Sequence, residues 1–185
     1  MTQFDPLVVR AMARWPDVPA VYGWLRLDRR GGWHLIDRGR PGFDPVRDAA
    51  GSPITSTPIL DFIARNYAGD ESGRWFWQNG PQRVYVTLDS APLILRVLGT
   101  GAQVRLITHT GLEFGRITGA ALGPDGEILL ASDLGCGAIH DLDTAALSLE
   151  QSRDGVVTLA VAGDDWQLEP CDSPEKVFGY MRRPA

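Results

Sequence analysis

Cys136, His140 and Asp143 are the one set in this 185-residue chain whose types suit nucleophilic catalysis. A cysteine and a histidine four apart share a face if both lie at the start of a helix, and the helix N-terminus there would favour the attacking thiolate. That arrangement would make a small thiol hydrolase or transferase. The simpler reading is a packed thiol beside a capping region, because Gly135 and Gly137 flank the cysteine. Gly135-Cys136-Gly137 could also turn backbone N–H groups toward a phosphate, but no lysine accompanies it and the Walker and dinucleotide spacings are absent. His34, His109 and His140 lie far apart with no ligand spacing, and Asp141-Leu142-Asp143 lacks the Asp-Gly rhythm of a calcium loop. The sequence therefore predicts no metal and no cofactor.

A second constellation is a surface rather than a reaction centre. Gly73 to Leu88 holds two runs of aromatic and β-branched residues around Asn79-Gly80, a pair suited to a type I′ turn. With those two residues in the turn, Trp77 pairs with Gln82, Phe76 with Arg83, Trp75 with Val84 and Arg74 with Tyr85. One face then carries Trp75, Trp77, Val84 and Val86 and belongs to the core, because successive side chains alternate. The other carries Arg74, Phe76, Arg83 and Tyr85, where guanidinium groups and rings suit an anionic or flat aromatic ligand, or a protein partner.

Around these residues the chain reads as an α+β fold. Asp5 and Pro6 open a short helix with Leu7, Val8, Met12 and Trp15 as its apolar stripe, and Pro16 ends it. Two strands follow around Arg29-Arg30-Gly31-Gly32, then a loop from Arg40 to Pro53. A helix is expected from Thr57 to Tyr67, capped by Ser56 or Thr57, with Ile59, Leu60, Phe62, Ile63 and Tyr67 buried. After the hairpin comes an apolar strand from Leu93 to Leu98, and Gly99 to Gly101 marks a midpoint break. Val104 to Thr108, Gly115 to Ala121 and Glu127 to Ala131 read as strands. Leu134 to Gly137 reads as a tight loop before a short helix from Asp141 or Asp143 to about Leu149. A hairpin from Gly155 to Glu169 with Gly163-Asp164 at its tip and a helical turn from Pro174 to Tyr180 complete the chain.

Self-comparison suggests an internal repeat. Val21-Tyr22-Gly23 and Asp37-Arg38-Gly39 match Ile117-Thr118-Gly119 and Asp133-Leu134-Gly135 with equal spacing. Gly80 and Gly163 also stand equally far from Asp89-Ser90 and Asp172-Ser173. The predicted layout is an N-terminal helical segment over 1–20 and two similar units over 21–98 and 102–185, each of antiparallel strands plus one helix. The segment from Gly51-Ser52-Pro53-Ile54 through Gly73-Arg74-Trp75-Phe76-Trp77-Gln78-Asn79-Gly80-Pro81-Gln82-Arg83-Val84-Tyr85-Val86 to Ala91-Pro92 resembles an uncharacterised family of proteobacterial proteins. More distantly it is similar to a bacterial domain of unknown function built from repeated α/β motifs, for which signal transduction by ligand binding has been suggested. The resemblance implies a sensor or binding module and brings no catalytic residues.

Composition narrows the partners. A formal net charge of −5 argues against a general nucleic-acid binder, whose affinity comes from clustered basic residues releasing counterions. Lys176 is the only lysine, so the positive charge is nearly all arginine, which grips carboxylates and phosphates by a planar fork. Two cysteines without CxxC spacing fit a reducing cytoplasm, and the N-terminal stretch predicts neither a signal peptide nor a membrane span. These observations predict a cytoplasmic, non-enzymatic binding or regulatory module for a small anionic or aromatic ligand or a protein partner. The alternatives are the thiol enzyme and a structural homodimer joined through the hairpin's outer face.

Overall fold

The computed structural model describes residues 4–99 and 104–185, and the expected Gly99–Gly101 break lies partly outside them. It is mixed α+β, mostly sheet with a few short helices. Two compact units divide the chain: the first takes the residues up to Asp28, Gly32–Ser90 and Met181–Ala185, and the second Arg29–Gly31 and Ala91–Tyr180.

In the first unit α1 (Pro6–Arg14) begins on its proline, as expected. Asp5 occupies the cap position but its carboxylate makes no capping bond. It pairs instead with Arg65 at 3.2 Å, and its backbone N–H donates to Asn66 Oδ1 at 2.9 Å. Val8 carries the helix's burial, whereas Leu7 and Trp15 of the expected stripe are exposed. α2 (Thr57–Arg65) begins behind Ser56 and ends at Asn66, which is fully buried and donates to the Phe62 carbonyl. The helix is thus shorter than its apolar pattern suggests, and Tyr67 opens a strand.

Six strands form one sheet: β1 (Val21–Leu27), β2 (Trp33–Leu35), β3 (Ser52–Pro53), β4 (Tyr67–Gly69), β5 (Trp75–Asn79) and β6 (Gln82–Leu88), in the order β3-β2-β1-β6-β5-β4. All neighbours are antiparallel except the central pair β1 and β6. One sheet face, with Leu25, Leu27, Trp33, Tyr67, Val84, Val86 and Leu88, is buried, and Ile63 of α2 is buried with it.

The hairpin's register differs from the sequence expectation. Phe76 pairs with Tyr85, Trp77 with Val84, Gln78 with Arg83 and Asn79 with Gln82, so the turn residues are Gly80 and Pro81. Gly80 has φ +59°, which fits the glycine-first type II′ turn, and Pro81 follows with its φ fixed near −65°. Proline decided the register because it cannot donate to a ladder. The turn moved by one residue and the pairing sum by two, so the division of side chains between faces is as expected.

The second unit contains β7 (Leu93–Leu98), β8 (Arg105–Thr108), β9 (Gly119–Leu122), β10 (Ile128–Ser132) and β11 (Gly135–Ile139), in the order β8-β7-β11-β10-β9. β7, expected to close the first unit, runs parallel to β11 and so belongs here. A 3₁₀ turn (Asp141–Ala146) follows, then a three-stranded sheet of β12 (Ser148–Gln151), β13 (Val157–Val161) and β14 (Asp164–Leu168), then α3 (Pro174–Phe178), ended by left-handed Gly179. The stretch expected as a helix to Leu149 is therefore a 3₁₀ turn and a strand. Thr144 and the paired Asp141 and Asp143 are poor helix formers, which leaves tertiary pairing to decide.

The two larger sheets share a chain path. Each starts at its centre, runs outward, and returns from the far edge to lie parallel to its first strand. The expected match of Val21–Gly39 to Ile117–Gly135 cuts across that path, because it sets central β1 against edge strand β9. The strand in the position of β1 is β7.

The β13–β14 turn consists of Ala162 (φ +55°) and Gly163 (φ +87°), and Ala162 is the one non-glycine residue with positive φ among the described residues. A left-handed angle costs an L-residue roughly 1–2 kcal/mol, part of which glycine's greater freedom in the unfolded chain gives back. Ala162→Gly is expected to raise unfolding free energy by about 0.5–1 kcal/mol in urea denaturation; a loss of stability would show that the turn does not hold this angle in solution.

Candidate functional site

The hairpin's second face is assembled around Asp70. The sequence Asp70-Glu71-Ser72-Gly73 makes a tight turn in which Gly73 takes φ +75° and the Asp70 carboxylate stands in for a backbone acceptor. Asp70 Oδ1 accepts the N–H groups of Ser72 and Arg74, both at 3.0 Å. Its Oδ2 accepts Arg74 Nε at 2.9 Å and the Tyr85 hydroxyl at 3.0 Å. Arg74 also lies over the Tyr85 ring, 4.7 Å from the centroid. Tyr22 of β1 stacks on Tyr85 at 4.7 Å with the planes 8° apart.

Arg83 completes the group. Its guanidinium lies 4.4 Å from the Phe76 centroid, its Nε donates to Gln78 Oε1 at 3.3 Å, and it lies near enough to the Tyr85 hydroxyl to oppose that group's upward shift. Gln78 is fully buried and held by its own bond to the Gly80 carbonyl. Four sequence-predicted residues, Arg74, Phe76, Arg83 and Tyr85, are therefore brought together. Their surface is not the open aromatic face expected: Phe76 and Tyr85 are each 3% exposed, with Phe4, Ala20 and Tyr22 packed against them. Arg74 and Arg83, both only partly buried as residues, are what the site presents. Sequence reasoning missed Asp70, Gln78 and Tyr22. Asp70 four residues before Arg74 was a readable signal, whereas Tyr22 joins only through the long-range pairing of β1 with β6.

Cys136, His140 and Asp143 are not brought together as a catalytic set. Cys136 lies within β11, is 2% exposed, and takes part in no disulfide. Four residues along a strand place His140 about 13 Å away, where a helix would have put it one turn off. His140 caps the 3₁₀ turn, its Nδ1 accepting the Leu142 N–H at 3.2 Å. Asp143 pairs with Arg96 at 2.6 Å and accepts the Val97 N–H at 3.0 Å. His34 bonds Asp28 at 2.7 Å and His109 accepts the Ile94 N–H at 3.2 Å. Among the described residues no three His, Cys, Asp or Glu side chains cluster as metal ligands, and no helix is long and apolar enough to cross a membrane.

Residues 4–185 match the family DUF2944, described as "Protein of unknown function (DUF2946)". The chain belongs to that family. No curated protein matches it. The fold is similar to the crystal structure of a DUF1285 family protein from Silicibacter pomeroyi DSS-3, with a TM-score of 0.53 and 18% identity over 90% of this chain and 96% of that one. A DUF1285 family protein from Shewanella baltica OS155 aligns with a TM-score of 0.45 and 13% identity over 66% of this chain and 87% of that one.

In this DUF2944 member the electrostatics of the site centre on Asp70. Its burial opposes ionisation, but the hydrogen bonds from Arg74, the Tyr85 hydroxyl and the backbone outweigh that and hold the carboxyl below its ordinary value. Burial, with Asp70 alongside, pushes the Tyr85 hydroxyl upward, so it stays protonated and donates. A carboxyl lowered in the folded state stabilises fully above its unfolded pKa, near 3.9, and loses that contribution as pH falls through the folded value. Asp70→Asn is expected to cost about 1–3 kcal/mol at pH 7. The gap from wild type, followed by chemical denaturation, should close as the pH falls below about 4. An unchanged gap at the acidic end would mean that charge contributes nothing to the cluster's stability.

Proposed function

We propose that this protein is a non-enzymatic binding or regulatory module that takes a small anion at Arg74 and Arg83. One observation carries the reading: Arg83 is half-buried on Phe76 yet pairs with no carboxylate among the described residues, while Arg74 is already neutralised by Asp70. A cation set over a ring without a carboxylate partner is a ready partner for an anion, because the planar fork of donors matches a carboxylate. The burial of Phe76 and Tyr85 leaves their rings no room to stack an aromatic ligand. A carboxylate side chain of a protein partner, or of a second copy, would meet the same chemistry.

We also propose that the two larger sheets descend from one duplicated unit, on the strength of their common chain path. Alignment of further family members should then pair β1 with β7; a consistent pairing of β1 with β9 would count against it.

The function is tested by ¹⁵N NMR titration with sodium acetate and sodium sulfate. Either anion should shift the Arg83 side-chain resonance saturably. Arg83→Gln should weaken binding about tenfold or more, and Arg105→Gln, exposed in the second unit, should leave it unchanged. A wild type without saturation, or an Arg83→Gln variant that binds as well, overturns the reading.

A further inference from the structure

Resting on that anion site, we infer that its ligand is a carboxylate carrying a single negative charge, and that Asp70 sets this preference by weakening the binding of dianions. Three charged groups meet at the site: two arginines and one aspartate, for a net charge of +1. The aspartate cannot swing aside. Its two oxygens accept four hydrogen bonds, from the Ser72 and Arg74 N–H groups, Arg74 Nε and the Tyr85 hydroxyl. Gln78, equally fixed, holds Arg83 from the other side.

The donors left over match the same ligand. A guanidinium has five N–H groups. Arg83 uses one on Gln78, so four are left, and a carboxylate takes two side by side. The Tyr85 hydroxyl proton is spent on Asp70 and is not available to a further acceptor. A sulfate or phosphate dianion would bring a second negative charge, with more acceptor oxygens, beside a carboxylate that is locked in place. A monoanion neutralises the +1 cluster and leaves no excess.

The test compares acetate with sulfate at pH 7.5 and equal ionic strength, read on the Arg83 Nε–H resonance. Acetate should bind about tenfold more tightly than sulfate in wild type. Asp70→Asn, which raises the cluster to +2, should shrink or reverse that preference. Because this change also removes an anchor of the turn, Arg74→Gln serves as a second variant: with the cluster near zero, sulfate should weaken more than acetate. If sulfate equals or exceeds acetate in wild type and both are lost in Arg83→Gln, the anion site stands and the monoanion preference is wrong. If neither anion gives a saturable shift, the anion site itself fails and this inference with it.

Discussion

Each larger sheet depends on one parallel pair of strands, and in each the pair is closed by an arginine–aspartate clasp. In the first unit Arg26 of β1 grips Asp89 just beyond β6, with Nε to Oδ1 at 2.9 Å and Nη2 to Oδ2 at 2.7 Å. In the second, Arg96 of β7 grips Asp143 beyond β11, at 2.6 and 3.2 Å. Parallel strands cannot be joined by a tight turn, so the chain must travel to the far edge and back before the pair can form. A bidentate pair at the end of that journey fixes where the returning strand stops. Backbone bonds add to it, since the Asp89 N–H donates to the Leu27 carbonyl and the Asp143 carboxylate accepts from Val97.

The candidate site follows from that pairing. Tyr22 reaches Tyr85 because β1 lies beside β6 in register, and the stacked pair forms a floor beneath the Arg74 and Asp70 bonds. Rings that a sequence pattern assigns to the surface are instead covered by neighbouring rings and by the arginine guanidinium groups. This is a common use of arginine, whose planar head stays polar while its flat face packs on an aromatic. The result is a rigid set of charges with little exposed apolar area.

The family match and the fold similarity describe what kind of molecule this is without giving it an activity. Function resides in a site rather than in a fold, and the same architecture supports unrelated chemistries. What distinguishes this chain is the polarity of its half-buried groups: a locked carboxylate beside two guanidinium groups, with a cysteine buried in β11 elsewhere.

Much of the local structure was legible in the residues. Pro6, Pro58 and Pro174 mark the starts of the helices, and the alternation in Trp75–Asn79 and Gln82–Leu88 marks the hairpin and sorts its faces. These signals are short-range, so the sequence by itself determined them. It also determined the formal net charge of −5. The tertiary structure alone decided the rest. Gly135–Ile139 became a strand rather than a loop before a helix because β7 and β10 supply its hydrogen bonds from either side. Phe76 and Tyr85 became buried because Phe4 and Tyr22, more than fifty residues away in the chain, cover them. Burial and pairing across such separations depend on which strands meet, and no local pattern of residue types carries that information.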